Sequence, residues 1–411
     1  MRYVYDFGLM LYRLAVWLTA IVNDRAQDFI AQRKKALLKL ETTFKRPDGK
    51  LIWVHVASLG EFEQAKPLIT AIKSENQSIK VIVTFFSPSG YSQAIKNTNL
   101  DFVYYLPFDS SQNGKKFLTL VKPDLALFIK YDLWYHYLCA LEKSQVPTYL
   151  VAGIFRKDQF YFKPYGRFFK KALKAFHHFF VQDMKSQQLL KELGFNNTLV
   201  LGDTRFDRVN EISKGSPELG NIKAFKSDKA CTVAGSVWPS DIQYLKPLID
   251  KYRNEVCFII VPHVIDEEVR RGFGITDPCF YSSHDFSKNH VSNVLIIDEI
   301  GLLSRIYAYA DLALVGGAFR GAVHNVLEPA AFGLPILIGE NKSNEKFNEV
   351  IQLQQLGGLE TYSSFNELDQ KITRLLSDEG LRKEVGGISR KFVADGAGAT
   401  EKMMNHIKHW L

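Results

Sequence analysis

Two successive series of short apolar runs, each run followed by a helix-length stretch, are the feature that most restricts this chain. LIWVHVA (51–57), VIVTFF (81–86), FVYYLP, LALFI (125–129) and TYLVAGI (148–154) form the first series. ACTVAG (230–235), VCFIIVP (256–262), NVLIID (293–298), LALVGG (312–317) and PILIG (335–339) form the second. Continuous apolar strands alternating with helical stretches such as Phe62–Ser74 predict parallel sheets covered on both faces. The polar stretch 206–228, holding Gly215, Pro217 and Gly220, separates the two series. The expectation is an α/β chain of two doubly wound, Rossmann-like domains in tandem, 31–205 and 229–411, joined by a linker at 206–228. Ligands of such sheets bind at the carboxyl ends of the strands, so a cleft between the domains is the expected site.

The segment 1–30 does not fit that pattern. Phe7–Val22 is a 16-residue apolar run broken only by Arg13, whereas a bilayer span needs about 20 residues. No small-residue cleavage site follows, so a signal peptide is not expected. An interfacial helix fits better than a span or a buried core helix, and Arg33, Lys34, Lys35, Lys39, Lys45, Arg46 and Lys50 follow it. Between Gly153 and Phe180, seven cations (Arg156, Lys157, Lys163, Arg167, Lys170, Lys171 and Lys174) interleave with ten aromatics against one acid, Asp158. Such a stretch suits an anionic membrane or a single-stranded nucleic acid; the apolar N-terminus favours lipid. The net charge of +8 agrees with an anionic partner without naming one. The cysteines at 139, 231, 257 and 279 form no CxxC pair, which argues against a zinc knuckle or a disulfide framework.

Candidate chemistry gathers at strand-to-helix turns. Ser58-Leu59-Gly60-Glu61 follows the first strand: Gly60 permits a tight turn, and Glu61 is either a proton acceptor or the acidic half of a capping box begun by Ser58. Gly316-Gly317 precede His324-Asn325-Val326-Leu327-Glu328. Two glycines there let backbone N–H groups approach a phosphate beside a helix N-terminus, and Glu328 can accept both hydroxyls of a ribose; a plain glycine turn is the alternative. Ile300-Gly301-Leu302 end another strand, where backbone groups can hold a nucleobase edge. Ser236 can donate to a phosphate, and His263 ends a further strand. No GxGxxG follows a strand and no GxxxxGK(S/T) occurs, which weakens dinucleotide and P-loop readings.

Together, W-x-H-x-x-S-x-G-E at 53–61, Lys66-Pro67-Leu68 and H-N-x-L-E at 324–328 resemble the 3-deoxy-D-manno-octulosonic acid (Kdo) transferases, over essentially the whole chain. The resemblance implies a GT-B fold, with the two domains facing a central cleft and a membrane-associated N-terminal helix. It implies an inverting glycosyltransferase that moves Kdo from CMP-Kdo to a lipid A precursor, lipid IVA, at the cytoplasmic face of the cell inner membrane. Glu61 would be the proton acceptor, with Asp132 and Arg205 as transition-state stabilisers. Gly60, Ser236, His263, Ile300, Gly301, Leu302, Gly316, Gly317, His324, Asn325, Val326, Leu327 and Glu328 would bind substrate. No metal or other cofactor and no nucleic-acid partner is expected. The sequence departs from the family pattern at Lys130, which stands where its first glutamate is expected in K-Y-D-L-W, and at Arg205, which stands for lysine. It departs again at Pro262-His263, which lacks an intervening arginine. A UDP-sugar-dependent GT-B enzyme is the nearer alternative.

Overall fold

The computed structural model describes residues 2–95, 100–215, 217–287, 292–321 and 323–411. It divides into two units, Met1–Arg208 with Ala397–Leu411, and Val209–Gly396.

The first unit carries strands β1 (Leu51–Val56), β2 (Lys80–Phe85), β3 (Phe102–Tyr105), β4 (Leu125–Ile129), β5 (Thr148–Gly153), β6 (His178–Val181) and β7 (Thr198–Val200). They form one sheet in the order β3-β2-β1-β4-β5-β6-β7, with parallel pairings throughout. Every residue of β1, β4 and β5 is buried, because helices cover both faces. The chain builds outward from β1 to β3, then returns to place β4 on the other side of β1. That reversal makes the carboxyl ends of β1 and β4 the crevice where such a sheet takes ligands.

The second unit repeats the plan with β8 (Ala230–Val237), β9 (Val256–Pro262), β10 (Cys279–Phe280), β11 (Val294–Ile296), β12 (Leu312–Val315), β13 (Ile336–Gly339) and β14 (Leu359–Tyr362). Its order is β10-β11-β9-β8-β12-β13-β14, so the reversal falls between β8 and β12.

Two boundaries differ from the sequence expectation. The stretch 206–228 is largely helical, in Thr204–Gly215 and Gly220–Lys226. The end of the chain, expected in the second domain, belongs to the first unit. Helix Ala399–Ile407 buries Ala399, Met403 and Ile407, spaced four apart on one face, in the core that contains Val54, Ile69 and Ile72. Asp207 holds the start of this helix, accepting from Thr400 N at 2.8 Å and Thr400 Oγ1 at 2.7 Å, and Trp410 Nε1 donates to Tyr149 Oη at 2.8 Å.

The N-terminal helix, Arg2–Thr19, is docked by one polar edge. Tyr5 Oη donates to Asp109 at 2.7 Å, Asp6 pairs with His136 Nε2 at 2.6 Å, and the Arg13 guanidinium lies over Phe108. Its other side leaves Tyr3, Phe7, Met10, Leu14, Trp17 and Leu18 exposed. Among the described residues no helix is long and apolar enough to cross a membrane.

The basic-aromatic stretch is corrected in one respect. Phe155, Tyr161, Phe169, Phe176, Phe179 and Phe180 are core residues, and of its ten aromatics only Tyr165 is largely exposed. The cations stay at the surface while the rings pack inward, because β6 is a buried strand of the sheet and the turns before it pack on the same core. Arg33 is a second correction. It opens the basic run that follows the N-terminal helix in sequence, yet it is 3% exposed, enclosed by the rings of Phe29, Phe86 and Tyr105.

Candidate active site

In the first unit, Glu61 and Asp132 come from the ends of β1 and β4, the strands that flank the reversal. Ser58 caps the helix Leu59–Glu75 through its side chain, accepting from Glu61 N. The reciprocal half of a capping box is absent: the Glu61 carboxylate accepts from Ala57 N at 2.5 Å, one residue before the cap. The carboxyl is therefore held at the helix start yet buried, 7% exposed. Burial pushes it up to about 7; the Asp132 charge adds to that push, while the Ala57 N–H, His55 and Lys130 oppose it. A carboxyl titrating near neutrality can both accept and release a proton at the pH of the cell, which is what a general base requires.

Asp132 is fixed by a polar chain that runs through the sheet. Trp53 Nε1 donates to Thr84 Oγ1 at 2.8 Å, and Thr84 Oγ1 meets His55 Nδ1 at 2.8 Å. His55 Nε2 meets Asp132 Oδ2 at 2.7 Å, where Trp134 Nε1 also donates at 3.0 Å. His55 and Thr84 are fully buried, so each must find partners, and the chain supplies them. Lys130, at the end of β4, adopts a left-handed φ of 61° and sets its charge where Glu61 senses it. Arg205 opens the helix Thr204–Gly215, with its Nε donating to Asp203 at 2.8 Å. Asp203 in turn accepts from Gln64, one turn along the Glu61 helix, at 2.9 Å. Sequence reading overlooked His55, Thr84 and Trp134. The W-x-H motif contained the signal for His55, but its partner lies 77 residues away.

In the second unit, Ser236, His263, Gly316, Gly317 and His324 gather at the carboxyl ends of β8, β9 and β12. Gly235 must lack a side chain: a Cβ there would lie 2.1 Å from Tyr307 Oη. Tyr307 is fully buried, and its hydroxyl is pushed up by burial and by the charge of Glu328. The same tyrosine follows the turn Ile300-Gly301-Leu302 across the short helix Leu303–Ile306, so β8 and the Glu328 charge both reach it. Ile300 is 76% exposed and Gly301 has φ 93°, leaving an open apolar ledge. Asn325 Nδ2 donates to Glu328 Oε1 at 3.0 Å, while Asn325 Oδ1 caps Leu327 N at 3.1 Å. Val326 and Leu327 are buried, so their side chains serve packing.

The glycine pair does not act as expected. Gly317 N donates to Asp241 Oδ2 at 3.2 Å and Gly316 N to Gly235 O at 2.9 Å, so neither N–H is offered to a phosphate. A Cβ on Gly316 would sit 2.6 Å from Asp241 Oδ2 and 2.7 Å from Ser236 O. Gly316 is required for close packing around a buried carboxylate, and Gly317 for its left-handed φ of 92°. The helix after Asn325 is also only Leu327–Ala331, too short to add much dipole.

Residues 30–208 match the family model of 3-deoxy-D-manno-octulosonic-acid transferase (kdotransferase). The 3-deoxy-D-manno-octulosonic acid transferase of Rickettsia felis is 28% identical over 357 residues, 83% of this chain and 74% of that protein. That of Haemophilus influenzae is 24% identical over 384 residues, 89% of this chain and 88% of its own. That of Aquifex aeolicus is 27% identical over 346 residues, 81% and 87% respectively. Among solved structures, UDP-GlcNAc 2-epimerase from Neisseria meningitidis bound to UDP-GlcNAc superposes with TM-score 0.63 at 16% identity, covering 88% of this chain and all of that one. MurG of Acinetobacter baumannii gives 0.52 at 13% identity, with 88% of this chain covered. Twin parallel sheets of seven strands and these neighbours define a GT-B-like protein, and its sequence relatives are glycosyltransferases. Within that class, the part of the chain that a family model matches, and the curated relatives that cover most of it, are those of the Kdo transferases.

Proposed function

We propose that this chain is a Kdo transferase that takes its sugar from CMP-Kdo and gives it, with inversion, to a lipid A precursor of the lipid IVA type at the cytoplasmic face of the inner membrane. The observation that carries the reading is Glu61, a buried carboxyl titrating near 7 at the carboxyl end of β1. Glu61 accepts the proton of the attacking acceptor hydroxyl as the new bond forms at the anomeric carbon. The bond to the phosphate of CMP breaks, and the leaving group departs as an anion. Burial, aided by the Asp132 charge, keeps Glu61 partly protonated in the resting enzyme, and Arg205 supplies positive charge as the phosphate leaves. The donor nucleotide occupies the second unit, with its base over Ile300-Gly301-Leu302 and its ribose hydroxyls on Glu328. This chemistry calls for no resident metal.

Glu328→Ala is expected to weaken CMP binding by about 1–3 kcal/mol while leaving turnover at saturating donor near the parent value, because a half-buried acceptor for ribose hydroxyls is lost. Calorimetry checks it. Unchanged affinity would assign Glu328 to the fold alone.

The apolar side of helix Arg2–Thr19 supports interfacial attachment. Tyr5 packs on Phe168 at 6.0 Å and on Phe169 at 6.1 Å, which brings the basic stretch beside that helix. Removing residues 1–23 should abolish flotation with anionic liposomes at high salt and leave weaker, salt-sensitive binding at low salt, each cation near the surface contributing roughly 1 kcal/mol. Full-length protein that resists carbonate extraction would contradict an interfacial helix.

A further inference from the structure

We infer that Arg320, held over the indole of Trp238, is the anion-binding residue of the second unit and takes an oxyanion of the donor. The inference rests on the donor placement proposed above.

Arg320 ends the 3-10 turn Ala318–Arg320, between Gly317 and Gly321 with φ of 92° and 91°. The turn is pinned by its middle residue. The Phe319 ring stacks on Tyr244 at 4.7 Å and contacts Tyr362 at 5.8 Å. It also fills the space over Gly339, where a Cβ would lie 2.5 Å away. On the outer side the Arg320 guanidinium carbon sits 4.3 Å from the Trp238 ring centre. That indole also stacks on His263 at 4.3 Å and 25°, and His324 meets His263 edge-on at 5.2 Å.

A guanidinium stacked on a ring keeps its in-plane N–H donors pointing outward, the geometry that grips a carboxylate or phosphate with two bonds. Arg320, His263 and His324 are exposed, and among the described residues no carboxylate pairs with Arg320. The backbone donors that would otherwise take the anion are used up: Asp241 accepts from both Gly317 N and Trp238 N. Partial burial and the Arg320 charge hold His263 below the ordinary histidine range, and partial burial and His263 do the same for His324. Both imidazoles therefore stay neutral near pH 7, leaving Arg320 as the permanent cation of this group.

The test compares wild type, Arg320→Ala, Arg320→Lys and the remote Arg253→Ala by calorimetry with CMP and cytidine, and by donor KM with CMP-Kdo. Arg320→Ala should weaken CMP at least tenfold while cytidine is unaffected, and Arg320→Lys should recover only part of the loss. If CMP is unaffected but donor KM rises tenfold, the anion is the sugar carboxylate and the inference stands. Wild-type CMP affinity and donor KM in Arg320→Ala would overturn it. Wild-type protein that binds no CMP would overturn the donor reading itself, and the inference with it.

Discussion

Glu61→Gln should reduce Kdo transfer by about 10²–10⁴-fold, the usual loss when one general base is removed. The exchange is isosteric, and its carbonyl can still accept from Ala57 N, so the helix start is kept. The same variant should be more stable than wild type at alkaline pH. The folded carboxyl titrates near 7 against an ordinary 4.5, so folding favours its protonated form. Below pH 4.5 the group is protonated in both states and costs nothing. As pH rises through that window the folded state loses stability, and above about 7 the loss is complete. The gap from 4.5 to about 7 corresponds to at most about 3 kcal/mol. Melting curves at pH 5 and pH 8 should thus show the variant gaining much more at pH 8 than at pH 5, while the wild-type rate climbs through pH 7. A variant that keeps more than about a third of wild-type turnover would remove Glu61 from the mechanism.

Truncation after Gly396 should unfold the first unit even though the missing residues are last in sequence. Met403 and Ile407 are fully buried in its core, and burying such a side chain stabilises by roughly 1.5–3 kcal/mol. Asp207 would also lose the N–H and O–H donors of Thr400, which costs about 1–3 kcal/mol more. Set against a typical total of about 5–15 kcal/mol, the sum is decisive. The milder Ile407→Ala, at about 2–5 kcal/mol, should lower the melting temperature while leaving the fold intact. A truncated chain melting within a few degrees of wild type would mean that the returning helix is only an appendage.

The two sheets were legible because strands buried on both faces read as unbroken apolar runs, and LALFI matches β4 residue for residue. Strands β6 and β7 were harder. The rings of β6 sit among surface cations, so core and surface residues share one stretch of sequence. The pattern Ala399, Met403, Ile407 announces an apolar helix face but not which sheet it will cover. Glu61 was visible in its motif, whereas what tunes it was not. Asp132 and Lys130 reach it only because β4 returns to lie beside β1. The glycine pair shows the same limit: Gly316-Gly317 signals close approach, and the approaching group, Asp241, lies 76 residues earlier.

Mass spectrometry of the lipid after incubation with CMP-Kdo tests the central claim most directly. Wild-type protein should add Kdo mass to a lipid A precursor, Glu61→Gln should leave the lipid unchanged, and UDP-GlcNAc should be neither transferred nor epimerised. Unmodified lipid with the wild type, alongside turnover of UDP-GlcNAc, would contradict the account and move the chain's chemistry to that of its fold neighbours.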